Sequence, residues 1–262
     1  MFRLLLLILC IFVSSCITPD TNIHDNEIEE VTLIDLDFDD ESIEPWESQY
    51  SSITNFSIIN KDDFSNDKCG MFTILEGGDY WTSPYTGLQT ARSEIQLLNT
   101  SKINETCLYL WDIKIDQNYV ESDDWQVIGQ FHDQPDETIG ENWSTYPAHS
   151  PPISYKYKNS ELIISVYSWN ENKVVDIAKH QIEKNTWLSI KSKIFWSKDN
   201  DGTLEVWIND ESVFAPNGNS KYIGRNCFNN AGNYIKIGLY RSDTINTLGK
   251  VYYDNIKSLI IN

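Results

Sequence analysis

Short stretches in which apolar and polar residues alternate occur along most of this chain of 262 residues. A two-residue period is the pattern of a β-strand, because successive side chains point to opposite faces. Turn-forming sequences such as Asn200-Asp201-Gly202 separate the stretches, and no regular alternation of strands with helices is present. This order predicts an all-β antiparallel fold, a β-sandwich or a jelly roll. The clearest strand candidates are CLYLWDIKI (107–115), WQVIGQFH (125–132), ELIISVYSW (161–169), WLSIKSKIFW (187–196), GTLEVWIND (202–210), YIKIGLYRS (234–242) and VYYDNIKSLII (251–261).

A helical period is weak throughout the chain. The best candidate for a helix is the segment from Lys173 to Lys184, where apolar residues recur at approximately helical spacing. The rest of the chain has no convincing helical period longer than two turns.

The amino terminus has the form of a secretion signal. Arg3 precedes an apolar run at 4–13 that is too short to span a bilayer comfortably. The adjoining VSSC (13–16) resembles the lipobox of bacterial lipoproteins, in which the signal is cut before the cysteine and its sulfur takes a lipid. An ordinary signal peptide with a chance cysteine is the alternative. We expect a signal peptide at 1–15 and a lipidated Cys16 that anchors the protein to the bacterial cell envelope, at the outer membrane or the cell surface.

An acidic segment separates this signal from the main domain. Residues 17–47 hold 12 of the 39 acidic residues and contain no Lys or Arg. We expect a solvated tether at 16–30 and a folded domain at 31–262, because strand-like alternation begins at Val31. The net charge of −19 excludes the basic surface of a nucleic-acid binder and disfavours adsorption to anionic membranes. The predicted contact with a membrane is therefore through the lipid anchor alone.

The cysteines predict neither a disulfide scaffold nor a zinc site. Removal of the signal and lipidation of Cys16 leave Cys69, Cys107 and Cys227. Three cysteines allow at most one disulfide, and these have no CxxC or His-rich spacing. The sequence leaves open whether two of them pair.

Three of the predicted strands carry an unusual set of polar side chains on one face. The two-residue period puts apolar residues, among them Ile95, Val127 and Phe131, on the opposite face toward the core. Each polar residue has an ordinary explanation by itself, such as a surface ion pair, a structural histidine or a half-buried tyrosine. A solvated face is normally a loose mixture of Thr, Lys, Ser and Glu, so the combination indicates a site. The polar residues are Arg92, Glu94 and Gln96 on the first strand, Gln130 and His132 on the second, and Tyr234, Lys236, Gly238 and Tyr240 on the third.

The same three segments resemble the signature strands of the jelly-roll polysaccharide lyases. RSE (92–94), QFH (130–132) and YIKIGLY (234–240) match R-[ST]-E, Q-x-H and Y-x-K-x-G-x-Y in the order of that superfamily. Its members include alginate lyases, glucuronan lyases and heparin lyase I. The resemblance covers about residues 31–262 and implies an antiparallel β-sandwich of jelly-roll type with a concave sheet that carries the active site. The length of the chain suits the glucuronan and alginate lyases better than heparin lyase I, which carries extra insertions.

The resemblance implies cleavage of a uronic-acid-containing polysaccharide by β-elimination. A proton α to a carboxylate is too weakly acidic for a side chain to remove unaided, so the carboxylate must first be neutralised. Gln130 and Arg92 are expected to do this, while His132 and Tyr240 act as base and acid. For one stereochemistry of the sugar, Tyr240 fills both roles and His132 stays neutral.

The resemblance also implies residues that bind or orient the substrate. Glu94 is expected to orient Arg92, and Lys236 to bind a neighbouring carboxylate or activate the Tyr240 phenol. No cofactor or metal is required for elimination, although some relatives hold a structural calcium ion, which the sequence leaves open here. Further candidates for contact with the substrate are Tyr234, His149 and Arg225.

The charged residues of the three motif strands favour some candidate substrates over others. The motif strands supply Arg92 and Lys236 against Glu94, a modest basicity that fits a carboxylate polymer better than a heavily sulfated one. We therefore expect a glucuronan-like or alginate-like polysaccharide as the partner, in preference to heparin. The chain is expected to act as a monomer.

A retaining glucanase and a non-catalytic carbohydrate binder are the two alternatives to a lyase. A retaining glucanase on a similar sandwich needs the string E-x-D-x-x-E, which does not occur in the chain. A non-catalytic carbohydrate-binding surface lipoprotein is the serious alternative. Such a binder has no need of Gln130, His132 and Tyr240 together.

Overall fold

The structure is a computed structural model that describes residues 31–261 except 63–65, 79, 86, 88 and 215–217. The predicted signal peptide (1–15), the acidic tether (16–30) and Cys16 lie outside the described residues. Helical structure within the described residues is a single 3₁₀ turn, Glu137–Ile139. No helix in this part of the chain has the length and apolar character needed to cross a membrane.

The described residues form seventeen β-strands, and the pairs they make are antiparallel. Numbered in chain order, the strands are β1 Val31–Leu36, β2 Glu47–Tyr50, β3 Phe56–Asn60, β4 Lys68–Ile74, β5 Tyr80–Thr82, β6 Gln89–Leu97, β7 Thr106–Ile115, β8 Gln126–Asp133, β9 Ile153–Lys158, β10 Glu161–Ser168, β11 Lys173–Gln181, β12 Leu188–Phe195, β13 Thr203–Ile208, β14 Glu211–Ser212, β15 Tyr222–Ile223, β16 Asn233–Arg241 and β17 Gly249–Ile260.

The strands form two sheets that pack face to face. The back sheet has the order β14-β13-β12-β7-β17-β4-β3, with β1 beside β17 and β15 beside β13. The front sheet has the order β11-β10-β9-β8-β16-β6-β2, with β5 beside β6. Several neighbours, such as β8 and β16, are far apart in the sequence, as the connections of a jelly roll require. The predicted all-β antiparallel sandwich is therefore confirmed.

The hydrophobic core lies between the two sheets and follows from the alternation. Along β7 every second side chain is buried, from Cys107 to Ile115. The Tyr109 ring of the back sheet lies 4.5 Å from the Phe131 ring of the front sheet, measured between centroids. Phe131 in turn contacts Trp196 edge to face at 5.3 Å. Aromatic contacts of this kind fix the front sheet, and the polar face it presents, on a rigid base.

The predicted helix from Lys173 to Lys184 is wrong, because Lys173–Gln181 forms strand β11. This strand pairs with β10 in a hairpin at the edge of the front sheet. Val174, Val175 and Ile177 are β-branched, and such side chains lose rotamer freedom in a helix but pack well on a sheet. The weak helical spacing of the apolar residues did not outweigh that preference.

One side chain of the front sheet lies on the side opposite to the predicted one. Alternation predicted that Val127 points to the core with Phe131. Val127 instead lies on the open face beside Gln130, and Ile128 enters the core. The pairing of β8 with β9 shifts register between Val127 and Gly129, as in a β-bulge. The extra residue of a bulge reverses the alternation, so the two-residue period does not extend across it.

Gly238, in β16, occupies a position where a side chain would collide with β6. Its φ is +127°, a region that L-residues rarely adopt. A Cβ at this position would lie 2.3 Å from the Ser93 carbonyl oxygen and 2.8 Å from the Glu94 Cα. The register of β16 against β8 shifts at the same place, between Ile237 and Tyr240. The glycine therefore allows β16 to pack closely against β6 beside Glu94.

Replacement of Gly238 by Ala is expected to lower the free energy of unfolding by about 2–3 kcal/mol, through strain and collision with β6. Urea denaturation followed by tryptophan fluorescence measures the change. Gly129→Ala is the matched control on β8, because a Cβ there comes no closer than 3.8 Å, to the Tyr155 ring. Its expected effect is within about 1 kcal/mol. Equal losses for the two variants would contradict the steric explanation.

The structure shows that the three remaining cysteines do not form a disulfide with one another. Cys69, Cys107 and Cys227 are all buried and unpaired. Burial raises the pKa of the Cys69 and Cys107 thiols to about 11. These thiols are therefore protonated at neutral pH and behave as small apolar side chains of the core.

Candidate active site

A cleft of about 690 Å³ opens on the polar face of the front sheet. Strands β6, β8, β9 and β16 contribute to its floor, and two segments, at 81–85 and 143–151, contribute to its walls. Tyr85 and Trp143, one from each wall, stack at 6.0 Å. Seven of the predicted site residues line this cleft, namely Arg92, Gln130, His132, His149, Tyr234, Lys236 and Tyr240.

Strand pairing explains why three distant segments of the chain meet here. Strand β16 lies between β8 and β6, so that all three signature segments are neighbours in one sheet. Residues directly opposite each other on paired strands have Cβ atoms about 4.5–5.5 Å apart. The opposed pairs are His132 with Tyr234, Gln130 with Lys236, and Arg92 with Tyr240.

Glu94 lies beneath the floor of the cleft and is fully buried. Its Oε1 accepts a hydrogen bond of 2.6 Å from Gln130 Nε2. Its Oε2 lies 3.2 Å from Arg92 Nε, within ion-pair distance. The carboxylate thus holds the Gln130 amide by a hydrogen bond and lies in ion-pair contact with Arg92, the residue that the resemblance implies it orients. The Gln130 nitrogen retains a second N–H for a ligand in the cleft.

Arg92 connects this buried carboxylate to Tyr240. The guanidinium carbon lies 4.1 Å from the centroid of the Tyr240 ring, a cation–π contact. Trp125 packs edge to face on the other part of the Tyr240 ring, at 4.7 Å. Arg92 Nη1 also donates a 2.6 Å hydrogen bond to Gln49 Oε1. The Tyr240 phenol is therefore held by an aromatic side chain and a cation at the cleft surface.

Lys236 is a cation almost removed from solvent, with 4% of its surface exposed. Its Nζ donates a 3.0 Å hydrogen bond to Gln49 Oε1, the same oxygen that Arg92 contacts. Burial, and then the positive charge of Arg92, lower the pKa of Lys236 to about 7, although Glu94 opposes the shift. Near neutral pH the ammonium is therefore only partly charged.

Replacement of Lys236 by Met is expected to stabilise the fold more at about pH 7 than at about pH 9. The unfolded chain holds the Lys236 proton below its ordinary pKa of 10.5, and the folded chain only below about 7. Between these values the unfolded state binds more protons, so the contribution of the wild-type lysine to stability rises with pH. Urea midpoints of both proteins at the two pH values measure the difference. A gain that is the same at both pH values would contradict the assignment.

Two histidines of the cleft share one buried carboxylate, that of Asp133. His149 Nδ1 lies 2.6 Å from Asp133 Oδ2 in a hydrogen bond. His132 Nδ1 lies 2.8 Å from Asp133 Oδ1 and 3.1 Å from the Asp133 carbonyl oxygen. Burial alone would raise the pKa of Asp133, but the contacts with His132 and His149 lower it to about 2. The carboxylate is therefore ionised at any pH at which the protein would work.

Tyr234 lines the cleft but is almost entirely buried. Its ring lies 5.6 Å from the ring of His132 and meets Trp143 edge to face at 5.8 Å. Burial raises the pKa of its phenol far above the usual value. Tyr234 therefore packs against His132 while lining the cleft, and its predicted contact with substrate stays a prediction.

Arg225 does not reach the cleft, contrary to the prediction that it contacts the substrate. Its Nε and Nη2 donate to the carbonyl oxygens of Cys227 and Phe228, at 2.9 and 2.7 Å. Its guanidinium lies over the Trp169 ring at 4.8 Å. These contacts hold the guanidinium against its own loop and the Trp169 ring.

Several residues of the site were missed by the sequence analysis. Asp133 directly follows the QFH motif, but strict alternation assigns it to the core face. Gln49 comes from β2, which has no distinctive motif, and meets Arg92 only through the pairing of β2 with β6. Trp125 precedes β8 and carries no signal beyond being aromatic. Of these, only Asp133 had a usable signal, namely an ionisable residue next to the motif.

No group of three or more His, Cys, Asp and Glu side chains in the described residues is arranged to hold a metal ion. The structural calcium ion that the sequence left open is not tested by the described residues.

The fold and the cleft define a class, namely antiparallel jelly-roll proteins with a polar site on the face of one sheet. The chain belongs to the polysaccharide lyase family, whose sequence model matches residues 41–257. It is therefore a polysaccharide lyase. A comparison with curated protein sequences finds no match.

Solved structures of lyases have the same fold. An endo-β-1,4-glucuronan lyase from the fungus Trichoderma reesei is similar with a TM-score of 0.64 and 14% identity, over 87% of this chain and 95% of that one. An alginate lyase of polysaccharide lyase family 7 gives 0.54 and 12%, over 83% and 95%. A marine PL-14 alginate lyase from Aplysia kurodai gives 0.52 and 11%, over 83% and 91%. At these identities the similarity establishes the fold alone.

Proposed function

We propose that this lyase cleaves a polysaccharide containing uronic acid by β-elimination, and that a glucuronan-like or alginate-like polymer is its substrate in preference to heparin. The observation that carries the proposal is the common cleft of Arg92, Gln130, His132 and Tyr240, with Glu94 beneath it. Each of these groups matches one requirement of the elimination.

The first requirement is neutralisation of the uronate carboxylate. Removal of the C5 proton builds negative charge on this carboxylate, and preorganised donors stabilise such charge most effectively. Arg92 and Gln130 supply a guanidinium and an amide N–H, both oriented by Glu94 before the substrate arrives. The two side chains therefore need little rearrangement as the charge develops.

The second requirement is a base for the C5 proton and an acid for the departing oxygen. The C5–H bond breaks, its electron pair forms the C4=C5 double bond, the C4–O4 bond breaks and O4 takes a proton. His132 accepts the C5 proton and Tyr240 donates to O4 when the two groups lie on opposite sides of the sugar. For the other epimer Tyr240 performs both transfers, and His132 remains neutral.

The charges of the cleft support a carboxylate polymer over a sulfated one. Arg92 is paired with Glu94, and the Nζ of Lys156 lies 2.5 Å from Asp176. Lys236 is only partly charged near neutral pH, since its pKa is about 7. A heavily sulfated chain needs several free cations, whereas one carboxylate per sugar needs few. Glucuronan and alginate are also the substrates in the names of the similar structures.

Incubation with glucuronan, polymannuronate, polyguluronate and heparin tests the proposal. We expect an increase in ultraviolet absorbance, from the new C4=C5 bond conjugated to the carboxylate, with one of the first three polymers. The His132→Ala/Tyr240→Phe double variant is the matched inactive control. Absorbance from heparin alone would refute the substrate class, and no absorbance from any polyuronate would refute the proposed function.

The non-catalytic carbohydrate binder of the sequence analysis disagrees with the membership of this chain in the polysaccharide lyase family. A binder would also gain nothing from the buried carboxylate that orients Gln130 and Arg92. The same incubation separates the two, because a binder retains the polymer without producing an unsaturated end.

We further propose that the enzyme is anchored to the bacterial cell envelope by a lipid on Cys16. The VSSC sequence after the apolar run supports this location. The wild-type protein expressed in a bacterial host is expected in the membrane fraction and to take up labelled fatty acid. Cys16→Ser is expected to prevent labelling. Labelling that persists in the variant would contradict the assignment of Cys16.

A further inference from the structure

Asp133 joins two imidazoles that come from different parts of the chain. It is the last residue of β8, and its carboxylate is fully buried. His132 precedes it on the same strand, while His149 lies in the segment between β8 and β9. One oxygen of the carboxylate faces each imidazole, at 2.8 Å and 2.6 Å from the respective Nδ1. The contact therefore ties a wall of the cleft to its floor.

These contacts determine which nitrogen of each neutral imidazole carries the proton. The Nδ1 of His132 makes its hydrogen bond to the Asp133 carbonyl oxygen, at 3.1 Å, and lies within ion-pair distance of the carboxylate Oδ1 without hydrogen-bond geometry. The Nδ1 of His149 faces the other oxygen of the carboxylate. A lone pair on either Nδ1 would be directed at an oxygen lone pair, so each Nδ1 must carry a hydrogen. Each Nε2 is then the basic nitrogen.

We infer that Asp133 is a positioning residue that holds His132 and His149 in the Nδ1–H form, so that the Nε2 atom of His132 is available as the proton acceptor in the cleft. The inference rests on the proposed function, in which His132 takes the C5 proton. That proton moves to Nε2, the Nδ1–H stays in place, and the resulting imidazolium is stabilised by the ionised Asp133. The proton is afterwards released to water, and Asp133 itself exchanges none.

The surroundings of Asp133 are consistent with this role. The groups that face it are His132 on its own strand, His149 and Tyr146 in the β8–β9 segment, and Tyr234 on β16. Lys236 acts on it electrostatically. Among the described residues, the ion pairs of Asp133 are made with His132 and His149 and not with a lysine or arginine. A permanent cation is therefore not in contact with this carboxylate, and an imidazolium is the cation it is placed to stabilise.

Nitrogen NMR of the wild-type protein tests the inference without any substitution and without substrate. The chain has four histidines, so that single replacements assign their ring signals. Long-range ¹H–¹⁵N spectra distinguish the two neutral forms by the shift of the nitrogen that lacks a hydrogen. We expect both His132 and His149 in the Nδ1–H form. A His132 ring in the Nε2–H form would overturn the inference. This is the form that predominates for free histidine.

Asp133→Asn tests the catalytic consequence. The neutral amide no longer supplies a counter-charge to the His132 imidazolium, and it is a weaker acceptor for His149. We therefore expect a kcat at least about 10²-fold lower with KM little changed, together with a mixture of ring forms at His149. His132 should keep the Nδ1–H form, because its hydrogen bond to the carbonyl oxygen of residue 133 remains. Asp136→Asn is the matched control, since Asp136 is a buried acid nearby that caps Thr138 and contacts neither histidine.

Failure of the inference and failure of the proposed function give different results. A wild-type protein that produces no unsaturated ends from any polyuronate refutes the function, whatever the ring forms are. An active wild-type protein whose Asp133→Asn variant keeps its kcat and the ring form of His149 overturns the role of Asp133. Thermal unfolding of the two Asn variants identifies a loss of kcat that comes only from loss of the fold.

Discussion

Tyr240→Phe is expected to lower kcat by about 10²–10⁴-fold, the usual contribution of a general acid or base, while KM and stability change little. The phenol hydroxyl is the group that protonates O4 in the proposed elimination. The ring that carries it is fixed by Arg92 at 4.1 Å and by Trp125 at 4.7 Å. Phenylalanine preserves both contacts and removes only the hydroxyl. Steady-state rates of ultraviolet product formation on the best polyuronate measure the effect.

Tyr252→Phe is the matched control for this substitution. Tyr252 is on β17 of the back sheet, and its hydroxyl donates to Asp116 Oδ2 at 2.6 Å. The variant loses one hydrogen bond far from the cleft, so its kcat should equal that of the wild type. Full turnover by Tyr240→Phe would show that another group protonates O4, even if the protein is a lyase as its family requires.

The alternation of single strands was sufficient to predict much of the cleft. Arg92, Glu94, Gln130 and His132 project as expected because the two-residue period is a local property of an extended chain. That the three signature segments share one site followed from the resemblance to known lyases, which no local period provides. Gly238 was predictable as part of the motif, although its reason, the close approach of β6, needed the structure.

Other features depend on contacts that a local pattern does not contain. The bulge in β8 reverses Val127, and nothing in WQVIGQFH distinguishes a bulged strand from a regular one. Asp133 lies where β8 ends, and the alternation no longer constrains its side chain there. Gln49 is 43 residues from Arg92 in the sequence, yet its oxygen accepts from that guanidinium. Long-range pairing decides such contacts, so the network that orients the cations was not predictable from the motifs.

Arg92→Met is expected to lower both the free energy of unfolding, by about 3–5 kcal/mol, and kcat/KM, by about 10²–10³-fold. Removal of the guanidinium leaves the fully buried Glu94 without the cation 3.2 Å from its Oε2. It also removes the donor that neutralises the uronate carboxylate in the proposed reaction. Urea denaturation measures the first effect, and product absorbance at limiting substrate measures the second.

The double variant Arg92→Met/Glu94→Met separates these two effects. Replacement of a whole buried ion pair by apolar side chains of similar volume is often neutral for stability, so the double variant should regain most of the lost free energy. Its activity should stay low, because Gln130 has lost the acceptor that holds its amide at 2.6 Å. A double variant that regains activity together with stability would mean that Arg92 serves only the fold. Recovery of stability alone would mean that the buried carboxylate is retained in this sheet because it orients a guanidinium and an amide for catalysis.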